Sequence, residues 1–395
     1  MAQGNELRVG LIGTQFMGKA HSNAWSQAGH FFKLPLKIVK QAICGRNEER
    51  AKNMADTWGW KSIELDWREL IERKDIDIID ICTPNNSHAE IAIAALKAGK
   101  HVACEKPLCM DKNEAARMVR AARENKTLLN NVWYNYRRVP ALALARQLVE
   151  EGRLGRIFHV RAVYLQSWII DPNFPAVWRL DAKTAGSGAH GDLNAHIIDA
   201  ARYITGDEIT EVVAHAETFI KERPSGAMAG GLSASKGASG KKIEMSKVTV
   251  DDAVVILAKF KGGAVATFEA TRFAQGRKNG NRIEINGEKG AIEFAFEDMN
   301  RLQFYDATAP TKIQGWTDIM VTESTHPYFG AYWPAGHIIG YEHTFINQCS
   351  DIVTAIGEGK AAQLQPDFAN AARTQAVLDA ALESSAKRKW VQTDC

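Results

Sequence analysis

Asp192 and His196 stand four residues apart in a run, 186–204, whose apolar residues recur at helical spacing. Residues at i and i+4 share one helix face, roughly 6 Å apart, so the carboxylate can orient the imidazole while both face one cleft. An imidazole braced in this way can accept and return a proton near neutral pH. Glu105-Lys106-Pro107 closes an earlier apolar run, and Pro107 biases Lys106 towards extended backbone. An ammonium held at such a rim can stabilise a developing alkoxide or hydrogen-bond a ribose. Plain structural readings exist beside these: a helix N-cap for Asp192 after Gly191, a satisfied core histidine at 196, a surface lysine before a turn.

Base, orienting acid and oxygen-holding cation would suffice to oxidise a secondary alcohol if a nicotinamide took the hydride. Gly13-Thr14-Gln15-Phe16-Met17-Gly18 follows the first strand-like run, where a glycine-rich turn would seat a pyrophosphate on a helix N-terminus. Gly13, Gln15, Phe16 and Met17 are the expected contacts. The middle glycine of the usual pattern is missing, so Gln15 either tolerates a tight approach or hydrogen-bonds through its amide. At the end of the second strand, Cys44-Gly45-Arg46-Asn47 carries no acid to receive the ribose hydroxyls of NAD. Gly45 and Arg46 would meet the 2′-phosphate of NADP, or Arg46 is a solvated loop arginine, and the residues leave the choice open. Thr83, Pro84, Asn85 and His88 follow a further strand at its carboxyl end, where open α/β sheets hold ligands; Glu105 and Lys106 follow the next.

Tyr136, Arg137, Gln166, Trp168, Trp178, Arg179 and Trp333 combine aromatic faces with multi-donor groups. Together with Asp192 and His196 they suit a polyhydroxylated ring whose axial C–H bonds stack on indole. Aromatics of this kind also serve simply as core.

The elements that must position these groups fall into two patterns. Residues 7 to about 130 alternate short apolar runs with helical ones, which predicts repeated βα units and a doubly wound parallel sheet, a dinucleotide-binding domain over 1–130. A connecting helix is expected over 62–76. Beyond 134 the period changes to two in 156–168, 209–220, 248–260, 263–272 and 281–296, with Gly287 and Gly290 marking a hairpin. This predicts an α+β domain over 131–395 with a large, open-faced, mostly antiparallel sheet for substrate binding and oligomerisation, its two C-terminal helices packing back. Residues 224–247, rich in Gly, Ser and Ala, read as an excursion that is a lid, a subunit-contacting arm or an inert insertion. A sheet with a helix on one face and alternating apolar residues on the other predicts a homodimer or homotetramer.

With 395 residues the chain is long enough for two cores. Its 49 basic and 46 acidic residues give a net charge of +3 without a basic run, which argues against a nucleic-acid partner. No stretch approaches the ~18 apolar residues of a membrane span, and the N-terminus enters a strand at once, so a cytoplasmic protein without a membrane partner is expected. Cys44, Cys82, Cys104, Cys109, Cys349 and Cys395 form no C-x-x-C pair and no ligand ladder with histidine, so reduced thiols and no metal site are expected.

The motifs G-T-x-F-M-G-K-A-H from Gly13, T-P-N-x-x-H from Thr83, C-E-K-P-L from Cys104, N-Y-R-R-x-P from Asn135 and G-D-x-x-x-H-x-I-D from Gly191 together resemble the Gfo/Idh/MocA family of sugar and cyclitol oxidoreductases. The resemblance spans essentially the whole chain. Segments 164–168, 177–180 and 326–334 are similar to members that oxidise pyranoses at C3. The resemblance implies a Rossmann domain followed by an open-faced sheet domain, with Lys106, Asp192 and His196 as the catalytic set. It implies a small carbohydrate substrate, a glucose-like pyranoside or anhydrosugar oxidised to a keto sugar. NAD(H) is the cofactor it favours, although Gly45-Arg46 and Gln15 depart from the NAD pattern and leave NADP(H) open. Related activities that it also allows are inositol oxidation and glycoside cleavage through a transient 3-keto sugar. A non-catalytic NAD(P)-sensing module is a further possibility, against which the joint presence of Lys106, Asp192 and His196 argues.

Overall fold

The computed structural model describes residues 4–225 and 244–393. They form two compact units, the first built from 4–135 with Tyr341–Ala372 and the second from the remainder.

In the first unit β1 (Glu6–Ile12), α1 (Phe16–Phe31), β2 (Lys37–Cys44), α2 (Glu48–Trp58), β3 (Ile63–Glu64), α3 (Trp67–Glu72), β4 (Ile78–Ile81), α4 (His88–Lys97), β5 (His101–Cys104), α5 (Lys112–Glu124) and β6 (Asn130–Val132) alternate. The strands lie in the order β3-β2-β1-β4-β5-β6 and every pairing is parallel. All four residues of β4 and of β5 are buried, as the central strands of a sheet covered on both faces must be. The order reverses between β1 and β4, the switch point at which such sheets bind ligands. Side chains cap three of the helices: Asn47 accepts from Arg50 N–H, Asp66 from Arg68 N–H, and Asp111 from the Asn113 and Glu114 amides. The 62–76 stretch is thus a two-residue strand and a short helix rather than one connecting helix, because the Asp66 cap starts the helix late.

The second unit holds α6 (Pro140–Glu150), β7 (Ile157–Leu165), α7 (Ala182–Ala185), α8 (Ala195–Thr205), β8 (Ile209–Glu217), β9 (Glu222–Pro224), β10 (Met245–Lys247), β11 (Ala253–Phe260), β12 (Val265–Thr271), β13 (Gly280–Gly287), β14 (Gly290–Ala295), β15 (Arg301–Asp306) and β16 (Trp316–Met320). Helix α9 (Tyr341–Gly357) belongs to the first unit; α10 (Phe368–Lys387) and β17 (Val391–Gln392) end the chain. The nine-stranded sheet runs β16-β15-β14-β13-β7-β12-β11-β8-β17, antiparallel except where β7 pairs with β12. Strand β11 alternates strictly, with Val254, Ile256, Ala258 and Phe260 buried and Val255, Leu257 and Lys259 exposed, so one face is core and the other open. Gly287 and Gly290 bound the expected hairpin, with Asn286 opposite Ala291. The 224–247 excursion leaves from β9 and returns through β10, which pair antiparallel; 226–243, and with them the reading of that segment, lie outside the described residues. Among the described residues no helix is long and apolar enough to cross a membrane.

Candidate active site

The turn between β1 and α1 is shaped by backbone contact. Gly13 has φ +126°, and a Cβ there would lie 2.5 Å from the Cys82 carbonyl oxygen; one at Gly18 would lie 2.1 Å from the Gly13 carbonyl oxygen. Gln15 has φ −99° and ψ −156°, a conformation open to any residue, so the missing glycine causes no backbone strain here. No side chain caps α1, and its first turn holds no acid. An anion such as a pyrophosphate fits amides left in this state. Phe16, which opens the helix, stacks on Tyr341 at 6.5 Å.

At the carboxyl ends of β4 and β5, two turns are joined to each other and to α1. His88 is fully buried with Nε2 at 2.9 Å from the Thr83 carbonyl and Nδ1 at 3.0 Å from the Pro107 carbonyl, so its ring ties the Thr83-Pro84-Asn85 turn to the Lys106-Pro107 turn. Burial holds its pKa below the ordinary value. Ser87 Oγ donates to Thr83 Oγ1 at 2.7 Å and closes the first turn. Glu105 accepts the Lys106 amide on Oε2 at 3.0 Å, and its Oε1 lies 3.0 Å from Nε2 of His21. The other nitrogen of His21 lies 3.0 Å from Asp80 Oδ2, and Asp80 also receives the indole N–H groups of Trp25 at 2.7 Å and Trp133 at 2.8 Å. Burial opposes charge on His21, but the contacts with Asp80 and Cys82 together raise the imidazolium pKa well above the ordinary value. His21, Asp80 and Cys82 offer ligand atoms within 4.8 Å of one another. Burial pushes the Cys82 thiol up to about 12.

In the second unit an unbroken chain of contacts runs from His196 to Asp192. His196, in α8, stacks on the Tyr136 ring at 4.3 Å. The Tyr136 hydroxyl meets that of Tyr164 at 2.8 Å, and the Tyr164 hydroxyl donates to Asn279 Oδ1 at 2.8 Å. Gln166 Nε2 donates to the same oxygen at 2.9 Å, and Trp168 Nε1 donates to Gln166 Oε1 at 2.8 Å. The Arg272 guanidinium lies 5.2 Å from the Trp168 ring centre and donates through Nη2 to Asp192 Oδ2 at 2.8 Å. Tyr164 lies near the end of β7, and Gln166 and Trp168 follow just beyond it, gathered by Asn279 and by each other.

Asp192 does not stand in a regular α-helix. His190–Asn194 form a π-helical turn leading into α8, so the helix expected over 186–204 is interrupted at the proposed site. Asp251 holds the start of this turn, its two oxygens accepting the Gly188 amide at 2.8 Å and the His190 amide at 2.7 Å. A Cβ at Gly188 would lie 1.9 Å from the Asp251 carbonyl oxygen. The turn is thus pressed against the backbone entering β11.

Residues 7–132 match the oxidoreductase family with the NAD-binding Rossmann fold, and residues 142–293 match the Gfo/Idh/MocA C-terminal domain. The chain belongs to the Gfo/Idh/MocA family. It is 43% identical to the levoglucosan dehydrogenase of Pseudarthrobacter phenanthrenivorans over 98% of this chain and 97% of that one. An oxidoreductase domain protein from Kribbella flavida superposes with a TM-score of 0.93 at 51% identity, covering 99% of this chain and all of the other. Levoglucosan dehydrogenase in complex with NADH and levoglucosan superposes with a TM-score of 0.90 at 41% identity, over 98% and 99% of the two chains.

As a family oxidoreductase, the chain carries its NAD-binding domain in the first unit, where Gly13 and Gly18 make the close backbone contacts of the first turn. At the end of β2, where 44–47 contain no acid, Arg46 is exposed and Asn47 is taken up by the α2 cap. Arg137, expected at the substrate, directs Nε and Nη2 to Asp199 at 2.7 and 2.6 Å, a pair buried on both sides. Trp178 and Arg179 form a turn of their own, the guanidinium lying 4.4 Å from the Trp178 ring centre, and Trp333 is 50% exposed. Sequence reasoning missed Tyr164, Asn279, Arg272 and Asp251. Tyr164 was accessible through its period-two spacing with Gln166 and Trp168; the others carry no local signal.

Proposed function

We propose that this protein is an NAD(H)-dependent dehydrogenase that oxidises a ring hydroxyl, at C3 of a glucose-like pyranoside or anhydrosugar, to a ketone. The observation that carries this reading is the contact chain from His196 through Tyr136, Tyr164, Asn279, Gln166, Trp168 and Arg272 to Asp192. It links an imidazole, a carboxylate, an indole and a row of hydroxyl and amide groups in one continuous network, equipment that suits a polyhydroxylated ring. NAD+, when bound, supplies the hydride acceptor.

In this mechanism His196 takes the proton of the reacting hydroxyl, and Asp192 stabilises the imidazolium that results. Arg272 orients Asp192. Lys106 stabilises the developing alkoxide with its ammonium, while Glu105 fixes the Lys106 backbone. Gln166 and Trp168 orient the ring. Residues 1–130 serve the cofactor and 131–395 the substrate and self-association. The exposed Val255, Leu257 and Val265 of the open sheet face are covered by a second copy of a cytoplasmic homo-oligomer.

A panel of pyranosides, anhydrosugars and cyclitols, followed by nicotinamide absorbance with product analysis by NMR, tests the reading. A lasting 3-keto sugar is expected. A keto-inositol as the preferred product, or a released aglycone, replaces the C3-dehydrogenase assignment. Light scattering that returns a 43.6 kDa particle removes the oligomer.

A further inference from the structure

His21 lies outside the chemistry above, yet it is a fully enclosed titratable group in the first unit's site region, with an exposure of 0%, as Asp80 and His88 are. Both of its ring nitrogens face carboxylates, Nδ1 towards Asp80 at 3.0 Å and Nε2 towards Glu105 at 3.0 Å. A neutral imidazole has one N–H and would oppose a lone pair to one of these anions; two N–H donors satisfy both. The elements around the ring add Cys82 at the end of β4, 3.1 Å from Nδ1, and the rings of Trp133 after β6 and Phe345 in α9. Among these neighbours the carboxylates of Asp80 and Glu105 are the charges that face His21, since the Cys82 thiol stays protonated.

We propose that His21 is a positioning residue for Lys106: a doubly protonated imidazolium, clamped between Asp80 and Glu105, that fixes the carboxylate holding the Lys106 amide. Glu105 reaches His21 with one oxygen and the Lys106 N–H, at 3.0 Å, with the other, so the orientation of its carboxylate is determined at both ends. Asp80, anchored by Trp25 and Trp133, cannot follow a displaced His21. Rigidity therefore passes from α1, the helix that opens at the anion-ready turn, to the turn that carries Lys106. A glutamine at 21 offers N–H donors on a single nitrogen. One of the two carboxylates would lose its donor, take up a proton or rotate, and loosen the Lys106 turn.

The proposal rests on the assignment of Lys106 to the alkoxide. Histidine 15N NMR of the intact wild-type protein is expected to show the His21 ring as an imidazolium, with both N–H signals, persisting well above the ordinary imidazole range. His21→Gln is expected to lower kcat by about tenfold to a hundredfold, with NADH affinity, read by fluorescence, and the substrate KM held. A neutral His21 at about pH 8 overturns the proposal even if the variant does not fold. Full kcat in a folded His21→Gln protein overturns it equally. Lys106→Ala separates the two layers: undiminished hydride transfer there removes the role of Lys106 whatever state His21 shows, whereas an inactive Lys106→Ala beside a neutral His21 removes the clamp alone.

Discussion

The guanidinium of Arg272 donates to Asp192 at 2.8 Å from a position only 1% exposed, while Asp192 itself is 32% exposed. The cation is buried and the acid faces outward, an arrangement in which the acid is held for use rather than stored. Arg272 stands one residue past the end of β12, and its Nε and Nη1 have no hydrogen-bond partner within the described structure. Asp192 and the Trp168 face are therefore what orient it.

Arg272→Met is expected to cut kcat by about tenfold or more, since a misplaced orienting group costs on that scale, while NADH binding holds. Arg272→Lys should recover only part of the loss because an ammonium cannot both hold the carboxylate and lie flat on the indole. Steady-state kinetics beside NADH fluorescence titration checks this. Equal activity of all three proteins would show that Asp192 needs no cation.

The π-helical turn depends on Asp251. Asp251→Asn leaves an oxygen for one of the Gly188 and His190 amides and puts a donor against the other, so a loss of about 1–3 kcal/mol in urea unfolding is expected. Gly188→Ala should be worse, because the new methyl would meet the backbone oxygen of Asp251, which has no side-chain freedom with which to move. A Gly188→Ala protein with an unchanged urea midpoint would mean that the turn is not pressed against β11.

Neutral buried histidines set the acid side of stability. Burial lowers His101 to about 4, with its Nδ1 accepting the Leu129 amide at 2.9 Å, and lowers His190, which lies 2.9 Å from the Leu378 carbonyl. Both have folded pKa values below the unfolded value near 6.5, so the unfolded chain takes up protons first and stability is lost as pH falls below that value. For His101 the loss reaches about 3 kcal/mol by the time pH nears 4. His21 has the opposite sign: its contribution is complete below 6.5 and is lost as pH rises through its folded pKa. Urea midpoints measured from neutral pH downward should therefore fall less steeply for His101→Gln than for wild type. Parallel curves would contradict this account.

How much of this was legible follows from the range of each signal. The parallel sheet was readable because strands buried on both faces, such as β4, appear as unbroken apolar runs between helical ones. The hairpin at Gly287 and Gly290 was readable because turn chemistry is local. The π-helical turn was not: one wider turn shifts the apolar period too little to be seen over ten residues, and its anchor, Asp251, lies about sixty positions away. Arg272 reaches Asp192 across 80 residues of sequence and Asn279 reaches Gln166 across 113, contacts created by the neighbouring of β7, β12 and β13. His21 stood inside a recognised motif, but its two carboxylates arrive on other strands.

Cofactor choice turns on the end of β2. A Cβ at Gly45 would lie 2.6 Å from Cγ2 of Thr14, so an acid at this position would collide with the phosphate-side turn unless Thr14 moved. Asn47 caps α2, and Arg46 beside it is exposed. Without an acid to repel a 2′-phosphate, the enzyme is expected to use NAD+ and to accept NADP+ as well. Arg46→Ala should then lower kcat/KM for NADP+ by about tenfold, the value of one charge-assisted contact, with little change for NAD+. Initial rates with the two cofactors at a saturating sugar concentration decide it. An equal loss for both would place Arg46 in general folding of the loop, and a wild-type enzyme inert with NADP+ would mean that another group excludes the phosphate.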